Sequence, residues 1–152
     1  MKIKAIIFDW GRTLFDVDIN KEYSDAEKIL FYCKQKGYKL AIASLARANT
    51  TIEARRSQIE ISSFFKYIDL VEVSDSKEKD EMFNKITQKL NILKEEILLV
   101  DDRVMKSIKY GNKNGHPTVW FQNGLFANEL PNEDTGNPTF VIHSLLELKD
   151  II

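Results

Sequence analysis

The sequence predicts an α/β fold, a Rossmann-like three-layer α/β/α sandwich built on a mostly parallel sheet. Three observations lead there. Short, almost continuously apolar runs alternate from end to end with segments of helical periodicity, the pattern of strands buried on both faces with crossover helices between them. Each connection has room for about one helix, as parallel neighbours require. The residues with chemical potential, Asp9, Ser44, Asp101 and Asp102, stand just after apolar runs, where loops and helix N-termini of such a sheet converge.

Taken in order, Ile3 to Phe8 is the first buried strand. Ala26, Ile29, Leu30 and Cys33 then recur at i, i+3, i+4 and i+7, which predicts a helix over residues 24–36 that Gly37 ends. Lys39 to Ala43 is a second strand, followed by a helix from about Thr50 to Glu60 with Ile52 and Ile59 inward. Ile68 to Val73 is a third strand. Met82, Phe83, Ile86 and Leu90 mark a helix with Ser74, Asp75 and Ser76 as candidate caps. Ile97 to Val100 is a fourth strand, and a short helix with Val104 and Ile108 runs toward Gly111–Gly115. Thr118 to Phe121 is a fifth strand, residues 122–138 read as a long loop, and Thr139 to Ile142 is a sixth strand. Ser144 and Glu147 form an S-x-x-E capping box for a last helix with Leu145, Leu148 and Ile152 inward.

Composition narrows the setting. At 152 residues and 43% hydrophobic, the chain is expected to form one domain over residues 1–152. A net charge of −1 gives no reason to expect nucleic acid or an anionic membrane as partner. No stretch approaches the roughly 20 apolar residues of a membrane span. The lone Cys33 excludes an internal disulfide and suits a reducing cytoplasm. The expectation is a cytoplasmic protein, with the oligomeric state left open, a homo-oligomer included.

The strand-end residues form a chemical constellation. Three carboxylates gathered at one sheet edge repel one another unless a cation holds them. Hard oxygen ligands with open positions favour Mg²⁺, which keeps waters and a substrate phosphate. The Ser44 hydroxyl and the Lys77 ammonium offer what phosphoryl oxygens need, with Lys79 of the same charged run as the alternative. A carboxylate in line with phosphorus can act as nucleophile and form an aspartyl-phosphate.

Four stretches in the expected order resemble the motifs of the haloacid dehalogenase-like (HAD) hydrolase superfamily: FDWGRTLF, KLAIAS, KEKDEMFNKI, and ILLVDD followed by GHPTVWF. The resemblance covers nearly the whole chain, including the closing FVIHSLLEL. It implies Mg²⁺-dependent hydrolysis of a phosphorylated substrate through an aspartyl-phosphate on Asp9. It further implies that Asp9, the backbone carbonyl of Gly11 and Asp102 hold the metal with Asp101 beside them. Thr13 would shape the loop after Asp9, Ser44 would bind the phosphoryl group, and Lys77 would neutralise it and steady Asp9. Arg12, at a variable position of the motif, is a further candidate phosphate ligand.

Two positions depart from the family pattern. Gly11 stands where the family has a second Asp that protonates the leaving group, a role worth roughly 10²–10⁴-fold. Ser107 stands where relatives often carry another acidic residue. The gaps from Asp9 to Ser44 and from Ser44 to Lys77 are filled by the expected helices and strand, leaving no room for an inserted cap. The rival to catalysis is a HAD-like binding or regulatory protein with little or no turnover. A dehalogenase- or phosphonatase-type hydrolase ranks third, because such relatives depend on cap residues. Cys33 belongs to a helix core face, His116 and His143 lack ligand partners at useful spacing, and the aromatic residues near 120–126 read as packing.

Overall fold

The computed structural model describes residues 1–152. Strand β1 (Ala5–Phe8) leads into a small hairpin, β2 (Phe15–Asp16) and β3 (Lys21–Glu22), followed by α1 (Ser24–Gln35) and β4 (Lys39–Leu45). Then come α2 (Ile52–Glu60), β5 (Leu70–Ser74), α3 (Asp80–Leu90) and β6 (Ile97–Asp101). A π turn (Val104–Ile108) continues into α4 (Lys109–Asn114), and β7 (Thr118–Phe121) and β8 (Phe140–Ile142) complete the sheet. No helix is long and apolar enough to cross a membrane.

Alternation along the strands builds the layers, because successive side chains point to opposite faces. Ile6, Phe8, Leu40, Ile42, Leu98 and Val100 face one side and pack on Ala26, Ile29, Leu30 and Cys33 of α1 and on Leu145 and Leu148. Ala5, Ile7, Ala41, Ala43, Ile97 and Leu99 face the other and meet Met82, Phe83 and Ile86 of α3 and Tyr110 of α4. With both faces covered, the strands can be apolar throughout, and β1 and β6 are buried at every residue.

All six strands run parallel in the order β5-β4-β1-β6-β7-β8. The chain first builds from β1 toward β5, then returns to β1's other side with β6. That reversal leaves a crevice at the carboxyl ends of β1 and β6, the natural ligand position of such a sheet. Phe8 is in register with Val100, so the loops after β1 and β6 start side by side.

Several local expectations shift. The residues between β1 and β4 hold the β2–β3 hairpin as well as α1, and no cap is inserted. Helix α3 starts at Asp80 behind Lys79, which offers no side-chain cap; the expected caps Ser74 and Ser76 instead bond to each other, with Ser76 N donating to Ser74 Oγ at 3.1 Å. The Ser144–Glu147 capping box forms, but it opens a 3₁₀ turn over Leu145–Asp150 rather than an α-helix. Thr51 caps α2, its Oγ1 accepting from Ala54 N at 3.0 Å. The loop at 122–138 contains only a 3₁₀ turn (Gly124–Phe126) and turns. Trp120 and Phe121 are buried packing, whereas Leu125 is exposed.

Candidate functional site

The end of β1 aims Asp9 into the crevice, its backbone N–H donating to Val100 O at 2.9 Å. A tight turn follows, in which Leu14 and Phe15 N–H groups donate to Trp10 O and Arg12 adopts a left-handed backbone at φ 65°. The turn brings Thr13 back beneath the site. Its hydroxyl lies 3.4 Å from Asp9 Oδ2 and accepts from Asp102 N at 3.2 Å, tying the first loop to the end of β6. Asp101, Asp102 and Asp9 then cluster, with one carboxylate oxygen of each lying within 4.8 Å of the others.

One cation is buried among them, and it is Lys79 rather than Lys77. Lys79 Nζ donates to Asp9 Oδ1 at 2.6 Å and to Asp101 Oδ2 at 2.9 Å. Lys77 is exposed two residues earlier, and its carbonyl accepts from Lys106 Nζ at 2.8 Å. The reason for the shift is local. Residues 75–78 are spent crossing from β5 to α3, and the residue immediately before the helix is the one turned inward. In the run KEKDE no periodicity distinguishes the two lysines.

The electrostatics follow from burial and pairing. Burial, then the neighbouring Asp101 and Asp9 charges, push the Asp102 carboxyl up to about 9. Burial, then Asp101, push Asp9 up to about 6 against the pull of Lys79. Asp101 is held below the usual carboxylate range: burial acts upward, but the Lys79 charge and hydrogen bonds from Ser107, Lys79 and Arg103 N outweigh it. Burial acts downward on Lys79, and the two carboxylates raise it above its ordinary range. Ser107, at the position where the family often carries an acidic residue, donates its hydroxyl to Asp101 Oδ2.

Asp102 Oδ2 is buried with no hydrogen-bond partner. The large majority of buried side-chain oxygens in folded proteins are satisfied, and an orphan carboxyl oxygen beside two more carboxylates is suited to a cation. Three hard oxygen donors on one side of an open cleft fit Mg²⁺ better than a softer metal.

The cleft above the cluster measures about 470 Å³. Cations ring it. Arg12 lines it but is paired through both terminal nitrogens to Asp18 of the hairpin, at 2.9 and 3.0 Å. Arg103 is held by Glu129 at 2.7 Å and lies over the Phe126 ring at 3.7 Å. Ser44 is fully buried and does not line the cleft; its hydroxyl accepts from Arg55 Nη1 at 2.7 Å, and Arg55 itself is on the cleft wall. Sequence reasoning missed Arg55, although a signal existed. It falls at i+3 from Ile52 and i−4 from Ile59, a charged residue on the inward face of α2.

Comparison with known proteins adds an independent line. The family model for haloacid dehalogenase-like hydrolases matches residues 1–121. A glyceraldehyde 3-phosphate phosphatase from Pyrococcus furiosus is 30% identical over 134 residues, covering 87% of this chain and 55% of that protein. The chain thus spans about half the length of the curated relatives it matches. Among solved structures, the HAD-hydrolase YfnB from Bacillus subtilis, bound to magnesium, has a TM-score of 0.83 at 14% identity over 99% of both chains. The L-2-haloacid dehalogenase from Xanthobacter autotrophicus has a TM-score of 0.79 at 13% identity over 98% of both. At these identities the structural likeness is one of fold. With the family model matched across the strand-end motifs, the chain belongs to the haloacid dehalogenase-like hydrolases.

Proposed function

We propose that this protein is a Mg²⁺-dependent phosphatase that transfers a phosphoryl group to Asp9 and then to water. The observation that carries the reading is the unpartnered buried Asp102 Oδ2 in a cluster whose other end, Asp9, opens on the cleft. Asp9, Asp102, Asp101 and the Gly11 carbonyl would hold the metal. When bound, the ion neutralises the carboxylates and draws charge from the phosphoryl oxygens. Lys79 fixes the rotamer of Asp9 through Oδ1 and leaves Oδ2, which the Thr13 hydroxyl approaches at 3.4 Å, for nucleophilic attack. The relatives named as glyceraldehyde 3-phosphate phosphatases support a phosphate ester as substrate. With Gly11 in place of an acid, leaving groups that need no proton, such as aryl and acyl phosphates, are favoured.

Phosphate release from para-nitrophenyl phosphate with and without EDTA tests this reading. Turnover should require Mg²⁺ and fall at least about 10³-fold in Asp9→Asn, as loss of a nucleophile demands. An Asp9→Asn variant as active as the parent sinks the mechanism. The second reading, a binding protein without turnover, is favoured by Gly11. It predicts tight binding of a metal fluoride with Mg²⁺ but no phosphate release.

A further inference from the structure

We propose that Arg55 is a catalytic residue, stabilising by charge the oxyanion that departs from phosphorus on the side of the cleft left open by Gly11. This rests on the phosphatase reading above. The first support is an inventory of protons. No histidine, glutamate, tyrosine or cysteine lines the cleft. Its three aspartates form the metal cluster, Lys79 is committed to two of them, and the Lys106 ammonium is held by Lys77 O at 2.8 Å and by Glu78. A departing oxygen therefore leaves as an anion, and what it needs is a cation.

The second support is the state of Arg55. Its Nη1 donates to Ser44 Oγ at 2.7 Å and to Leu45 O at 3.2 Å, which holds the guanidinium against the end of β4. Three other cations on the wall are paired, Arg12 with Asp18, Arg103 with Glu129 and Lys106 with Glu78, and Arg47, which has no carboxylate partner, is exposed to solvent. Arg55 is half-buried and hydrogen-bonded to no carboxylate; burial lowers its pKa, and the Asp9 charge only partly offsets that. A partly desolvated cation without a hydrogen-bonded counter-charge is costly, and an anion in the cleft relieves that cost. The fork geometry leaves further N–H groups of Arg55 free to donate.

The third support is position. A Cβ built on Gly11 meets Val17 Cγ1 at 3.3 Å and Arg55 Nη1 at 4.0 Å, so the guanidinium is the polar group bordering the space a carboxyl at residue 11 would use. A carboxylate there would pair with Arg55 and cancel it. The glycine keeps the cation available.

The step is then balanced without a general acid. The bond from an Asp9 oxygen to phosphorus forms as the phosphorus–oxygen ester bond breaks. The bonding pair leaves on the ester oxygen, which departs as RO⁻ against Arg55 and takes its proton from bulk water. Attack of water on the acyl phosphate returns the Asp9 carboxylate and releases phosphate and a proton.

The test is a leaving-group series, from para-nitrophenyl to phenyl to alkyl phosphate, on the parent, Arg55→Lys and Arg55→Gln with saturating Mg²⁺. Gln keeps an N–H for Ser44 but carries no charge, and thermal melts show that each variant folds. For Arg55→Gln the expected loss in kcat/KM is about tenfold on the aryl ester with the best leaving group. It should grow to about 10²–10³-fold on the poorest, the scale of a lost oxyanion contact. Arg55→Lys should fall between, and added guanidinium should restore part of the Gln loss. An equal loss on every substrate shows that Arg55 only supports Ser44 and overturns this proposal while the phosphatase reading stands. Absence of Mg²⁺-dependent turnover in the parent removes both.

Discussion

Replacing Lys79 with Met in the metal-free protein should destabilise it far more than the same change at Lys77. Lys79 is 4% exposed and bonded at 2.6 and 2.9 Å to two carboxylates. Removing one partner of such a buried pair costs about 3–5 kcal/mol, because the other charges remain buried and unpaired. The site has one escape. Without the ammonium, Asp9, already pushed up to about 6, takes a proton more readily, while Asp102, pushed up to about 9, already holds one at pH 7. At pH 7 the loss should therefore sit near the lower bound, about 3 kcal/mol, and grow toward pH 8.5. For a domain of this size about 1 kcal/mol moves Tm by 2–4 °C, so the expected drop is roughly 6–12 °C. Mg²⁺ should return much of it, since a ligand at 100 times its Kd adds about 2.7 kcal/mol. Thermal unfolding in EDTA and in Mg²⁺, at both pH values, reads all of this. Equal melting of Lys77→Met and Lys79→Met, or a Lys79→Met loss that shrinks as pH rises, would refute the charge argument.

Two more outcomes follow from the structure. The Asp102 carboxyl is raised from 3.8 to about 9 on folding, so the folded state holds its proton more tightly than the unfolded chain. Its contribution must make metal-free stability fall as pH rises between those values, and denaturant melts from pH 5 to 9 should show the decline. Mg²⁺ or Asp102→Asn should flatten it; a slope unchanged by either rejects the assignment. Far from the cleft, a Cβ at Gly111 would lie 2.3 Å from Thr118 Cγ2 and 3.1 Å from Leu99 Cδ1, so Gly111→Ala should cost about 1–3 kcal/mol by overpacking, measured by urea unfolding. A neutral result there means that α4 shifts freely on the sheet.

The sequence by itself determined the layers. Buried parallel strands carry their signal locally, as short runs such as AIIF and ILLVD, and α1 and α3 carry theirs as a 3.6-residue period. From that alternation the carboxyl-end position of Asp9, Asp101 and Asp102 was legible, and so was the gathering of their charges. Tertiary structure decided what local pattern could not encode. Which lysine of KEKDE turns inward depends on how the chain crosses from β5 to α3, and both residues are equally charged and equally polar as sequence. The burial of Ser44 behind its bond to Arg55 depends on α2 docking against β4, a contact between residues 11 positions apart. The unpartnered oxygen of Asp102 emerges only when three loops meet, because satisfaction of a polar group is a property of its surroundings and not of its own residue type. The sequence thus named the carboxylates, and the packed structure assigned their lysine, revealed their arginine and exposed the one oxygen that asks for a metal.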